Sequence, residues 1–144
     1  MLSVVATPSV GSPTTSTAGW PAPRRTARRT CWCRFSFDRD GEALLVATPA
    51  DSPTGRNLAA TRAVRLGLGH TRDVSMIDGA VEVLEIEALP QERADRFAAR
   101  TGFDPRAAVT QYRWFRISPR RIQAWREVNE LPDRVLMREG RWLV

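Results

Sequence analysis

Residues 44–87, LLVATPADSPTGRNLAATRAVRLGLGHTRDVSMIDGAVEVLEIE, decide how this chain folds. Leu44-Leu45-Val46-Ala47 reads as a strand. Ser52-Pro53 then starts a helix, with serine as the N-cap and proline at the first helical position. Leu58-Ala59-Ala60 carry that helix for about two turns. Val64, Leu66 and Leu68 alternate with Arg65 and Gly67, the period of a half-buried strand. Val74, Met76 and Ile77 lead to Asp78-Gly79, which reads as a turn, and Ala80 to Ile86 returns from it. The spacing therefore predicts a hairpin over roughly 73–87. This order places a helix N-terminus at the rim of a small antiparallel sheet.

The flanks extend the same style. Phe35 and Phe37 alternate with Ser36, and Asp38-Arg39-Asp40-Gly41 makes a turn, so 34–47 is predicted as a hairpin. Pro90 opens a helix over 90–101, with Ala94, Phe97 and Ala98 on one face and Gly102 just past its end. Glu92 and Arg96 stand four apart and support it. Tyr112, Trp114 and Phe115 begin a strand that Ile117 completes before Ser118-Pro119, and Ile122 and Ala124 belong to another. A last hairpin spans 135–143. Six or seven short strands with one or two helices as plugs predict a small closed barrel, and closure removes edge strands.

Residues 1–33 read differently. Thr, Ser, Pro, Gly and Ala dominate through Pro23, and Arg24-Arg25-Thr26-Ala27-Arg28-Arg29 follows. No helical or strand period is sustained there, which predicts loop or disorder. A flexible basic tail and an Arg- and Ser-rich targeting peptide are both open readings. The folded domain is thus expected over 34–144.

At 144 residues the chain supports one core and one domain. Its net charge of +6 is uneven: residues 1–40 carry six arginines against two acids, and 41–144 carry sixteen against fourteen. A near-neutral folded part argues against a duplex-binding face, so no nucleic-acid partner is expected. All 22 basic residues are arginine, as a GC-rich gene favours, so any anion site must use a guanidinium fork. Cys31 and Cys33 are too close for an ordinary disulfide and lack a second pair for zinc, so reduced thiols and no metal are expected. No run of about twenty apolar residues spans a membrane, and no secretory signal pattern opens the chain, so a cytoplasmic location is expected.

The candidate site begins at Ser52-Pro53-Thr54-Gly55-Arg56-Asn57. A helix N-terminus offers free N–H groups and partial positive charge to a phosphate. Ser52, Thr54 and Asn57 add polar groups, Gly55 allows close approach, and Arg56 can grip an anion with two bonds. The same residues also make an ordinary capped helix. Arg72 and Asp73 can orient a heteroaromatic edge or pair in solvent. Trp125, beside Arg121 and Arg126, can stack on a flat ring while an arginine takes a negative group, or it can be a core tryptophan. His70 reads as a loop residue, and Glu82, Glu85 and Glu87 as a wetted strand face. No nucleophile elbow, His-Glu-x-x-His or P-loop is present, which disfavours a hydrolase and leaves cofactor chemistry open.

DGEALLVATPADSPTGRNL, VRLGLG, DGAVEVL, FRISPRRIQAWRE and ELPDRVLMREGRWL occur in an order and spacing that resemble the pyridoxamine 5'-phosphate oxidase-like family. Residues 35–144 look most like its small deazaflavin-dependent branch. The resemblance implies a mainly β (α+β) fold, a small antiparallel Greek-key split β-barrel with one or two short helices. It also implies a homodimer that binds FMN or the deazaflavin coenzyme F(420) between subunits and transfers hydride to a small substrate. Carried over by position, Ser52, Thr54, Arg56 and Asn57 would hold the phosphate, and Arg72, Asp73, Trp125 and Arg126 would contact the ring. Thr54 stands where the family usually has lysine. A non-catalytic flavin- or haem-binding protein of the same fold is the rival reading, and an inactive remnant a third. Residues 1–34 lack the family's opening helix and strands. Back-translating Arg24 to Phe35 in GC-rich codons and shifting by two bases yields Pro-Asp-Gly-Thr-Pro-His-Val-Leu-Val-Pro-Val, the missing hairpin. This segment is accordingly read as frame-shifted, and the gene's DNA tests it: a single-base change must restore that hairpin.

Overall fold

The structure, a computed structural model, describes residues 3–6, 31–34, 37–70 and 72–144. The elements in chain order are β1 (Ser3–Ala6), β2 (Cys31–Arg34), β3 (Phe37–Asp40), β4 (Ala43–Pro49), α1 (Pro53–Thr61), β5 (Ala63–His70), β6 (Asp73–Leu84), α2 (Gln91–Thr101), β7 (Tyr112–Trp125), β8 (Val135–Arg138) and β9 (Arg141–Trp142). The main sheet runs β3-β4-β7-β6-β5, all antiparallel, with β8 on β7 and β9 on β8. β1 and β2 pair separately, Ser3 opposite Arg34, and β1 lies alongside β5. Most of the 1–33 segment, and the Phe35-Ser36 alternation, fall outside the described residues.

The result is a curled antiparallel half-barrel with two helices, the mainly β architecture expected from the strand spacing. Full closure is not seen among the described strands. Among the described residues β3 and β5 end the sheet path and do not pair with each other. The expectation of a chain without edges is corrected accordingly: strands of four and eight residues leave their outer ladders unpaired within the described sheet.

Two predicted breaks are absent, for one shared reason. Asp78-Gly79 is not a turn and Ser118-Pro119 does not end a strand. β6 runs 12 residues and β7 runs 14, side by side. Their register slips where Asp78 faces Arg121 and Gly79 faces Pro119, leaving Arg120 as the extra residue of a β-bulge. Proline's missing N–H thus falls where the ladder is already irregular. Gly79 is used for close packing: a Cβ there would lie 2.7 Å from Ile117 Cγ2 and 2.9 Å from the Ser118 carbonyl oxygen. Gly79→Ala should therefore cost about 1–3 kcal/mol by overpacking, read as a lower urea midpoint. An unchanged midpoint would show that the strands can part there freely.

Side-chain alternation splits the core into two clusters. Val46, Leu58, Val64, Leu66, Ile77, Val81, Phe115 and Ile117 fill the concave face, where α1 sits as a plug through Leu58. Leu45, Leu89, Ala94, Phe97 and Trp114 join α2 to the convex face. Each fully buried side chain of this size contributes about 1.5–3 kcal/mol. α1 starts as its sequence dictates, with Ser52 Oγ accepting from the Gly55 N–H at 2.9 Å. It stops at Arg62, whose left-handed φ of 53° turns the chain so that its carbonyl accepts from the Val81 N–H at 2.8 Å.

Candidate functional site

The register of β6 and β7 gathers part of the predicted site. Val74 pairs with Trp125, so Asp73, the first residue of β6, and Arg72, in the turn before it, fall at the same end of the sheet as that tryptophan. Trp125 is half-buried, and Arg72, Asp73 and Arg126 are exposed. Strand alternation puts Trp125, Gln123 and Arg121 on the face opposite the partly buried Ile122, and places Val74 and Met76 beside them from β6. Arg126 turns away: its Nε lies 3.6 Å from Glu130 Oε1, and its N–H donates to Glu130 Oε2 at 2.8 Å. The side chain of His70 is not among those described.

Ser52, Thr54, Arg56 and Asn57 lie elsewhere. They follow the end of β4, where Pro49 pairs with Tyr112, while Trp125 closes the opposite end of β7. About 40 Å of strand separates the two ends. Ser52 Oγ donates to the Pro49 carbonyl at 2.8 Å. Thr54 is buried. Arg56 and Asn57 are exposed, and the Arg56 guanidinium donates to the Asp51 carbonyl. Gly55 is not left open for an anion: a Cβ there would meet the Pro49 carbonyl oxygen at 2.3 Å and that of Ala50 at 2.9 Å. Its lack of a side chain lets the helix seat on the end of β4.

The strongest electrostatic feature was missed by the sequence reading. Asp38 and Asp40 are not solvated turn residues; the turn is Gly41-Glu42, and both acids are buried in β3, 1% and 4% exposed. Arg96 Nε donates to Asp38 Oδ2 at 2.8 Å, Arg100 Nη1 stands 3.4 Å from Asp38 Oδ1, and Arg93 and Arg116 both donate to Asp40 Oδ2. Burial pushes the Asp38 carboxyl up, but the Arg96 bond, a bond from the Arg39 backbone and the charges of Arg96 and Arg100 outweigh it and hold it below 3.8. Arg96 is thereby drawn to β3, not to Glu92 as its spacing suggested. The legible signal was the match between acids alternating along β3 and arginines at 93, 96 and 100 on one helical face.

This network clamps α2 to β3 and borders a surface hollow of about 510 Å³ lined by Asp38, Arg39, Gly41, Glu42, Arg96 and Arg100. Elsewhere Arg65 holds Asp78 with two bonds, 2.5 and 3.1 Å, which raises the affinity of its guanidinium for its proton against partial burial. Glu82 and Glu85, read as a wetted face, stand within ion-pair distance of Arg116 and Arg113. Among the described residues no group of three or more His, Cys, Asp or Glu could hold a metal ion, and no helix is long and apolar enough to cross a membrane.

A ring-bearing phosphorylated cofactor fits this chain in part. The half-buried face of Trp125, flanked by Val74 and Met76, suits a planar ring, and Arg72 and Gln123 offer donors to its polar edge. Around α1 the Ser52 hydroxyl is already engaged, and Arg56 is the exposed cation able to leave a carbonyl for a phosphate.

No protein-family profile matches this chain, and no curated protein sequence does. Solved structures do. General stress protein 26 from Bacillus anthracis superposes with a TM-score of 0.50 at 18% identity, over 86% of this chain and 83% of that one. A candidate pyridoxamine 5'-phosphate oxidase from Listeria innocua gives 0.57 at 12%, over 88% and 89%. An F(420) reductase gives 0.52 at 16%, over 84% and 87%. At such identities the likeness is one of backbone architecture, and it agrees with the strand order and helix positions described above. The chain adopts the pyridoxamine 5'-phosphate oxidase-like split-barrel fold, as the resemblance of residues 35–144 implied.

Proposed function

We propose that this chain is an oxidoreductase that binds FMN or the deazaflavin coenzyme F(420) and moves a hydride to or from a small conjugated substrate. One observation supports the reading: on a split-barrel sheet, the β6–β7 register pairs Val74 with the half-buried Trp125, at the end of β6 where Arg72 and Asp73 precede it in the chain. The bound ring system supplies the hydride chemistry, and the chain supplies position and polarity. Trp125 covers one face of the ring and limits water there. Arg72 donates to its polar edge, and Asp73 accepts from a ring N–H. Ser52, Thr54, Arg56 and Asn57 hold the phosphate. Because they sit at the far end of β7, they join the ring contacts from a second copy of the chain, and the working unit is a homodimer. The F(420) reductase among the structural neighbours supports the deazaflavin option, and the Listeria neighbour supports a flavin.

Visible absorption of the purified chain, with mass analysis of any released chromophore, tests the reading. A flavin or deazaflavin that bleaches on reduction and recovers with a conjugated acceptor supports it. A chromophore that never turns over makes the chain a binding protein, and a colourless monomer that takes up neither cofactor sinks the proposal. Trp125→Ala should weaken FMN binding about fivefold or more, since ring stacking on an aromatic side chain is worth about 1–3 kcal/mol. Arg56→Ala should weaken it by a similar factor through loss of a charge-assisted bond. Both follow from titrating FMN fluorescence. Unchanged affinity in Arg56→Ala removes the helix terminus from the site.

A further inference from the structure

Among the described side chains most arginines are engaged, twelve of the seventeen from Arg39 onward. From Arg39 onward each has an ion pair or a carbonyl partner except Arg72, Arg120, Arg121, Arg138 and Arg141. Four of these five fall in one place. Arg120 is the extra residue of the β7 bulge and Arg121 follows it, and Arg138 and Arg141 flank the two-residue turn of the β8–β9 hairpin. The Gly140 N–H donates to the Arg120 carbonyl at 2.9 Å, which fixes that turn against the bulge.

Register aligns three of them. Ile122 pairs with Met137, so Arg121 stands next to Arg138 across the strand gap, and Arg138 pairs directly with Arg141. Residues directly opposite in an antiparallel pair share a face, and here it is the face away from Ile122 and Met137. The row extends to Asp78, which pairs with Arg121, but that carboxylate is already held by both donors of Arg65. Arg121, Arg138 and Arg141 are all exposed. With strands about 4.8 Å apart, three guanidinium groups without an ion pair among the described residues span about 10 Å.

Like charges directly opposite one another destabilise a sheet. Eight other arginines from Arg39 onward are paired with acids, and the register irregularities at Asp78/Gly79 and Ile122/Gln123 bracket the row. Bulges commonly re-aim side chains beside binding sites. We propose that Arg121, Arg138 and Arg141 form an anion-binding row for a small ligand carrying a phosphate ester or an oligophosphate. Guanidinium forks bind phosphate oxygens in pairs, and a 10 Å row matches two or three consecutive phosphates, not the longer track of a nucleic acid. The site is distinct from the Ser52–Asn57 segment and stands whether or not a ring binds at Trp125.

Sodium tripolyphosphate is the probe, titrated into the full-length protein by calorimetry at low salt. Saturable binding that weakens at least tenfold in Arg121→Gln and Arg138→Gln, and is unchanged in Arg62→Gln, supports the row. Arg62 is an exposed arginine on a carbonyl and serves as the control. Urea unfolding of the two row variants should show equal or higher stability, because removing a like charge relieves repulsion; this separates a binding role from a structural one. No saturable binding, or equal affinity in all four proteins, overturns the proposal. So does a hundredfold tighter affinity for a single-stranded twelve-nucleotide DNA, which would make the row part of a longer track. FMN and riboflavin then identify the source of the phosphate. Competition by FMN but not riboflavin makes the row the phosphate end of a cofactor site, and competition by neither makes the ligand a free oligophosphate; both outcomes support an anion row.

Discussion

Trp114→Ala is expected to destabilise the protein by about 3–5 kcal/mol, a large share of the stability of a domain this size. The side chain is completely buried on the convex face of β7, packed with Leu45, Leu89, Ala94 and Phe97. Its ring meets Phe97 edge to face, with centroids 5.0 Å apart and planes at 82°, a geometry that adds to simple burial. Its indole N–H donates to the Ile86 carbonyl at 3.3 Å, so truncation also strands a polar group. Nothing else of comparable size ties α2 to the sheet. Urea unfolding followed by fluorescence measures the loss, and Trp114→Phe should recover more than half of it. A cost below about 1 kcal/mol in the alanine variant would mean that α2 is docked by charge alone.

The second large effect is acid sensitivity set by Asp38. Its carboxyl is held below 3.8 in the folded protein, so on acidification the unfolded chain takes up this proton first. The stability it contributes is therefore complete above about pH 5 and is lost as pH falls through the folded value. Asp38→Asn removes the charge while keeping the shape. It should cost about 2 kcal/mol at pH 7, the worth of a charge-assisted pair whose arginine partners are half-exposed. It should also flatten the stability curve between pH 5 and the acid limit. Unfolding free energies from urea titrations across that range decide the matter. An Asn variant that parallels the wild type at every pH would show that Asp38 contributes shape and not charge.

Much of the fold could be read from local signals. Ser52-Pro53 set the start of α1, Gly102 set the end of α2, and alternation placed β4, β5 and the β8–β9 hairpin close to their observed bounds. Each rests on residues a few positions apart, which is why no tertiary information was needed. The errors arose where a local signal was outvoted by a neighbour distant in sequence. Asp78-Gly79 carries turn chemistry, yet the chain runs straight because Gly79 packs against Ile117 and Ser118. Pro119 ordinarily ends a strand, yet it sits in the bulge that Gly79 permits. Asp38 and Asp40 read as solvated because nothing beside them announces the arginines of α2, more than fifty residues away.

The candidate site divides in the same way. The residue types able to meet a ring and a phosphate, and the helix start at Ser52, were visible in the chain. That Trp125 and Arg72 share one end of the sheet while Arg56 lies at the other was not, because strand register depends on long-range pairing. The arginine row is the extreme case: Arg121, Arg138 and Arg141 are scattered along the sequence and become neighbours only through two cross-strand registers.

By itself, then, the sequence determined the mainly β class, the helix limits and the kinds of side chain available for anion and ring recognition, since these follow from short-range periodicity and capping; the split barrel was implied by the resemblance, where periodicity alone pointed to a closed one. Tertiary structure alone decided which charges are neutralised and which are left free, because ion pairing depends on contacts between segments that local patterns do not encode. Of the arginines from Arg39 onward, it satisfied those that brace α2 against β3 and left Arg121, Arg138 and Arg141, on β7, β8 and β9, without an ion pair among the described residues.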